Sequence, residues 1–341
     1  MRPLRRSSPA PWIAPASLRF SNTGPAGSFQ HVFGTTQPRT EACLALLEDE
    51  VSGRPLTNDE LAAAAAIRKR VSVVYRGAAP HLLDHIGHYC SYCELPLQDP
   101  AQVEHALPKA QYPAFSLDWS NFLPACIGCN SRKSDQPLRA AVAAGLPAQP
   151  PPQPADFRAT IRTAMFRWPD LDMTYGHFGV RLDWHDGAAW RPLDRAVSVD
   201  VRTERVGQSV VEGTILADIG AMSLTAVPVS AVVFDATPGG DQRTQQMINL
   251  CELGRRTVPN DSADRRTYFR SIAWLRAVRH LAPVAAAPTS TLPQEISALI
   301  EATGFFWVWL TVAGLMSADL LRLVVGAAPS ILPGTDPARL P

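Results

Sequence analysis

The stretch that decides the reading runs from His88 to Asp135: HYCSYCELPLQDPAQVEHALPKAQYPAFSLDWSNFLPACIGCNSRKSD. Two Cys-x-x-Cys pairs, Cys90/Cys93 and Cys126/Cys129, bracket Glu104-His105 and Asn121, and Asn130 follows the last cysteine. Each pair presents two thiolates from one tight turn, and two pairs complete a tetrahedral set at ~2.3 Å from a single ion. Four unrelated buried cysteines would have to meet this paired spacing by coincidence. The spacing predicts a structural Zn2+ site.

Zinc explains the cysteines but not the residues between them. The short apolar and aromatic pieces around Glu104 and His105 suit a small β-hairpin, and Cys126 to Lys133 reads as a short helix carrying Asn130. Drawing the cysteine pairs together brings that helix against the hairpin. Glu104 and Asn130 can then share a hard divalent cation through oxygen. His105 is left free to take a proton from an attacking water.

These residues resemble the HNH, or ββα-metal, nuclease family in its zinc-stabilised form. The resemblance implies that His105 is the general base and that Glu104, just before it, binds the catalytic metal. It also implies that Asn121 completes the catalytic constellation by tying down the hairpin loop, and that Asn130 is the second metal ligand. Asn130-Ser131-Arg132-Lys133 is similar to the family's Asn-x-x-Lys helix start. There are two departures. Glu104 stands where many members have Asp, which keeps the oxygen chemistry one methylene further out. Asn130 stands where others have His, which favours Mg2+ or Mn2+ over a softer metal. Lys109, Arg132 and Lys133 are the expected contacts to nucleic acid.

Over the whole chain, 341 residues give ample length for a core, and 46% apolar with 18% charged residues fits a folded protein. A net charge of +1 does not announce a polyanion partner, but its distribution says more. The lysines are Lys69, Lys109 and Lys133, and two of these fall inside the motif. Arginine supplies nearly all other positive charge, which suits bidentate phosphate contacts; a GC-rich genome would give the same bias. Cys43 and Cys251 complete no disulfide framework, so a reducing cytoplasm is expected. The opening MRPLRRSSPAPWIAPASLRF is basic but has no continuous apolar run, so no signal peptide is expected. The apolar run Gly304 to Met316 is too short to span a bilayer and reads as a buried helix.

The chain divides by composition into an irregular arm over 1–56, a nuclease domain with leading helices over 57–140, and a Pro-rich linker over 141–156. A mixed strand and loop region over 157–240 and a helical region over 241–330 follow. The arm either packs on the surface or touches a polyanion. Thr57 and Glu60 form a capping-box pair opening a helix. His81, His85 and His88 read as ordinary surface or packing histidines. The aromatics of 157–235 can stack bases or fill a core. Eight arginines between Arg243 and Arg279 fall on a predicted pair of helices, whose basic face is read as a phosphate cradle or a solvated surface. Tyr268, Ile272, Leu275 and Val278 are the residues expected to be buried there. Two apolar helices are expected over Leu292 to Val325.

The expected fold is α+β, a mainly helical chain around a small zinc-stapled ββα-metal core. Outlying pieces such as IGHYCSYCE, FRWPDLD, INLCELGRR and RRTYFRSIAWLRA are similar to those of HNH nucleases from anti-phage defence loci, some of them paired with an ATPase. The resemblance implies a metal-dependent endonuclease cutting phosphodiester bonds, with double-stranded DNA as the expected substrate, no membrane association, and an ATPase as a partner. Two other readings stay open: a zinc-stapled nucleic-acid-binding module that does not cut, and an RNA-cutting toxin built on the same motif.

Overall fold

The structure is a computed structural model. It describes residues 37–97, 101–134, 166–169, 177–185, 189–193, 199–206, 209–217, 229–236, 241–256, 265–286 and 292–331. The expected linker, Asp135, and residues 1–36 of the expected arm lie outside these. The fold is α+β, and the described residues form two compact units. One holds residues 37–88 and 97–134; the other holds 89–96 together with 166–331.

In the first unit, α1 (Gln37–Ser52) and α2 (Asn58–Arg76) lead into the short α3 (Ala79–Ile86). α1 corrects the expected irregular arm: the Pro, Ser and Gly bias fades near Gln37, and Leu47 is buried from there. α2 starts on a capping box. Thr57 Oγ1 accepts from the Glu60 amide, and the Glu60 carboxylate accepts from the Thr57 amide at 2.8 Å. Its buried residues, Ala64, Ile67, Val71, Val74 and Tyr75, fall on the stripe that a 3.6-residue period allows. The hairpin β1 (Gln102–His105) and β2 (Phe122–Ala125) pairs His105 with Phe122, and α4 (Ile127–Lys133) follows. Strand, strand and helix make the ββα unit.

The second unit is built on an antiparallel sheet ordered β4-β3-β7-β6-β5, from β3 (Phe178–His185), β4 (Trp190–Leu193), β5 (Val199–Val206), β6 (Ser209–Ala217) and β7 (Val229–Ala236). These strands reach nine residues, longer than the short strands expected from the sequence. The helices are α5 (Gln242–Leu250), α6 (Arg266–Ala286), α7 (Leu292–Thr303), α8 (Phe306–Met316) and α9 (Ala318–Ile331). Three helices, not two, end the described chain, because Gly304 and Phe305 both take positive φ and break the path between α7 and α8. Glycine is required at 304: φ is +65°, and a Cβ there would lie 2.6 Å from Pro96 Cγ. Glu94 closes the start of α8, its carboxylate accepting from the Trp307 amide at 3.0 Å, where a negative charge meets the positive helix end.

The basic helices also differ from the sequence reading. Arg266 and Arg270 are 4% and 1% exposed, so neither is a phosphate contact or a solvated face. They turn inward and donate to the Cys251 and Leu253 carbonyls, at 2.7 and 2.8 Å, just past the end of α5. Those carbonyls have no partner within the helix, and buried guanidinium groups satisfy them. The inward face of α6 is Ala273, Trp274, Leu275 and Ala277, while Tyr268, Ile272 and Val278 are half-buried. Asp183, 1% exposed, is offset by Arg181 and Arg256, each donating to it at 2.6 Å. Among the described residues no helix is long and apolar enough to cross a membrane.

Arg270→Met should lower unfolding stability by about 1–3 kcal/mol, because it removes the buried charged hydrogen bonds to the Leu253 carbonyl and Thr267 Oγ1. Arg276→Ala, on the exposed side of the same helix, should stay within about 0.5 kcal/mol. Urea denaturation checks both.

Candidate active site and zinc centre

The sulfurs of Cys90, Cys93, Cys126 and Cys129 lie within 4.8 Å of one another, and all four cysteines are buried. A tetrahedral ZnS4 centre has sulfur–sulfur edges of about 3.8 Å for ~2.3 Å bonds, so a small contraction seats the ion. Local turns set up each pair. The Glu94 amide donates to the Cys90 carbonyl at 2.9 Å and the Cys90 amide to the Leu95 carbonyl at 2.8 Å, folding the first pair into a knuckle. Cys126 is the N-cap of α4, its sulfur accepting from the Cys129 amide at 3.4 Å. The donor set fits zinc. Cys251, also buried, stands outside the cluster.

The hairpin places Glu104 and His105 at the end of β1. Between β1 and β2 the chain makes a long excursion, and Asn121 ties it together. Fully buried, Asn121 accepts from the Leu107 amide at 2.7 Å and donates to the Leu107 and Phe115 carbonyls at 2.9 and 3.1 Å. That excursion presents the Ser116 carbonyl to His105 Nε2 at 2.9 Å. A carbonyl only accepts, so Nε2 carries the proton and Nδ1 keeps its lone pair. Tyr75 and Phe122 pack their rings edge-on against the imidazole, with centroids at 4.6 and 5.1 Å. Burial is the main cause that brings the His105 pKa down to about 3, with Lys109 and Lys133 adding to it. The ring is therefore neutral at pH 7.

Glu104, His105 and Asn130 line one cavity of about 640 Å³, together with Gln102, Lys109 and Lys133. Glu104 is 4% exposed; burial pushes its carboxyl up, and the Lys133 ammonium pulls it down. Asn130 donates from Nδ2 to Gln102 Oε1 at 3.2 Å, which leaves its own carbonyl oxygen as an acceptor. A carboxylate and an amide oxygen on one cavity suit a hard divalent cation that keeps water ligands. The donor set fits Mg2+ or Mn2+.

The expected nucleic-acid contacts separate. Lys109 is exposed at the cavity, its ammonium 5.2 Å from the Tyr75 ring centroid. Arg132 is half-buried and donates to the Gly128 carbonyl at 3.3 Å. Lys133 differs from the sequence reading: it is 1% exposed, ion-paired with Glu104, and donates to the His105 carbonyl at 2.9 Å. The sequence held a signal for this. Lys133 lies four residues after the buried Cys129, so a helix turns both to the same side. Ser116 acts through its main chain and leaves no trace in residue type. Of His81, His85 and His88, His85 donates from Nδ1 to the His81 carbonyl at 2.9 Å and packs against Trp119.

A 55-residue stretch of the chain is 42% identical to the Septu protein PtuB of Bacillus thuringiensis. The likeness takes in 15% of this chain and 21% of that relative's length. No family model and no solved structure matches.

Purified protein should hold about one zinc per chain by metal analysis, and Cys129→Ser should lose both the zinc and part of the thermal stability. Cys251→Ser should keep its zinc. Asn121→Ala, which takes their partner from the buried Leu107 amide and carbonyl, should cost at least about 1–3 kcal/mol in denaturant titration.

Proposed function

We propose that the protein is a metal-dependent endonuclease of the HNH type that hydrolyses phosphodiester bonds. The substrate is DNA, expected to be double-stranded, and RNA is tested beside it. The observation that carries this reading is the convergence of Glu104, His105 and Asn130 on one cavity, with the imidazole held in a single tautomer by Ser116. A zinc-stapled module that only binds nucleic acid has no use for that convergence. The likeness to the Septu protein PtuB, with the resemblance to HNH nucleases of defence loci, supports a role in phage defence beside an ATPase partner.

In this mechanism His105 Nδ1 accepts a proton from the attacking water while Nε2–H stays on the Ser116 carbonyl. Asn121 keeps that carbonyl in place. Lys109 offers an exposed cation at the cavity for a phosphate oxygen. Glu104 and Asn130 would hold the divalent ion, which when bound neutralises charge developing at the phosphate. A base with a low pKa is weak but fully deprotonated at neutral pH.

Cleavage of plasmid DNA and structured RNA, with Mg2+ or Mn2+ and with chelator, tests the reading. His105→Ala should slow cleavage by about 10²–10⁴-fold while nucleic-acid affinity stays near wild type. The pH profile follows from the burial of His105. A histidine titrating near ~6.5 would lose about tenfold in rate between pH 7.5 and 5.5 as the ring protonates. With the pKa at about 3, the rate should stay nearly flat across that interval. Wild-type cleavage by His105→Ala, or metal-independent cutting, would reject the mechanism.

A further inference from the structure

The cavity already contains a cation supplied by the chain. Lys133 is 1% exposed, and its ammonium pairs with Glu104 and donates to the His105 carbonyl at 2.9 Å. It reaches the two residues the mechanism depends on while lying under their strand rather than in solvent. Lysine is rarely buried to this degree unless a carboxylate offsets it. The converse also holds: Glu104, 4% exposed, has the Lys133 ammonium as its ion-pair partner.

The charge balance then limits what else Glu104 can hold. One carboxylate and one ammonium already sum to zero. A dication entering the same cavity meets Lys133, and Lys109 also lines that cavity. Like charges a few ångströms apart in a partly dry site repel far more strongly than in water. Asn130 adds an oxygen but no charge.

We propose that Lys133 is an internal counter-cation that competes with the divalent ion for Glu104 and so sets the metal affinity of the site. The inference rests on reading Glu104 as a metal ligand. Metal loading draws the carboxylate off Lys133, and metal loss returns it, so Glu104 is never left as a bare buried charge. Lys133 is thus a positioning residue for Glu104 and a determinant of metal occupancy, not a phosphate contact.

The test measures Mn2+ binding by electron paramagnetic resonance of the free ion, on the full chain with its zinc in place. Lys133→Met should bind Mn2+ about tenfold or more tightly than wild type, since a neighbouring unit charge is gone. Its metal-free form should be less stable, and Glu104→Gln/Lys133→Met should recover that stability and lose the Mn2+ site. Should Lys133→Met fail to fold, Lys133→Gln retains a donor for the His105 carbonyl and should show the same tightening. Unchanged or weaker Mn2+ binding in the lysine variants, with binding still abolished by Glu104→Gln, overturns this inference alone. Mn2+ binding that Glu104→Gln leaves intact overturns the reading of Glu104 as a ligand, and the proposed function with it.

Discussion

The carboxamide of Asn121 makes three hydrogen bonds to main chain, and the candidate site depends on them although Asn121 does not line the cavity. The connection from β1 to β2 is irregular, apart from short turns at Pro113–Phe115 and Trp119–Asn121. Irregular buried backbone must find partners outside helix or sheet ladders. One side chain with both donor and acceptor capacity supplies three of them. The Ser116 carbonyl thereby acquires a fixed position, and with it the tautomer of His105.

Around that frame the site gathers three ionisable side chains, each 4% exposed or less: Glu104, His105 and Lys133. Burial acts on them in different directions. It favours the neutral imidazole of His105 and disfavours an isolated carboxylate at Glu104. The two lysines of the motif divide the work. Lys109 remains at the mouth over Tyr75, and Lys133 compensates Glu104 below.

The four-cysteine cluster and the ββα order were legible because spacing alone encodes them: paired cysteines mark turns, and alternating short segments mark a hairpin. Glu104, His105 and Asn130 were legible as types whose chemistry is complementary, and the cavity they share lies where the hairpin and helix meet. Lys133 was read as a nucleic-acid contact because the helix was not followed round from Cys129, which turns it inward. Arg266 and Arg270 were misread for a related reason. A basic stripe looks alike in sequence whether it faces water or the carbonyl ends of another helix. What no local pattern holds is long-range pairing, such as Glu94 with the start of α8, across more than two hundred residues.

The seven-residue α4 compresses several duties into two turns. Cys126 caps it, Cys129 turns inward, Asn130 faces the cavity, and Lys133 lies one turn beyond Cys129. An α-helix advances about 100° per residue, so these positions share one angular reference. Inserting or deleting a single residue after Cys129 would leave every side chain present and rotate Asn130 and Lys133 out of phase with the sulfur ligands. The interval from Cys126 to Lys133 is therefore a ruler that tolerates no change of length.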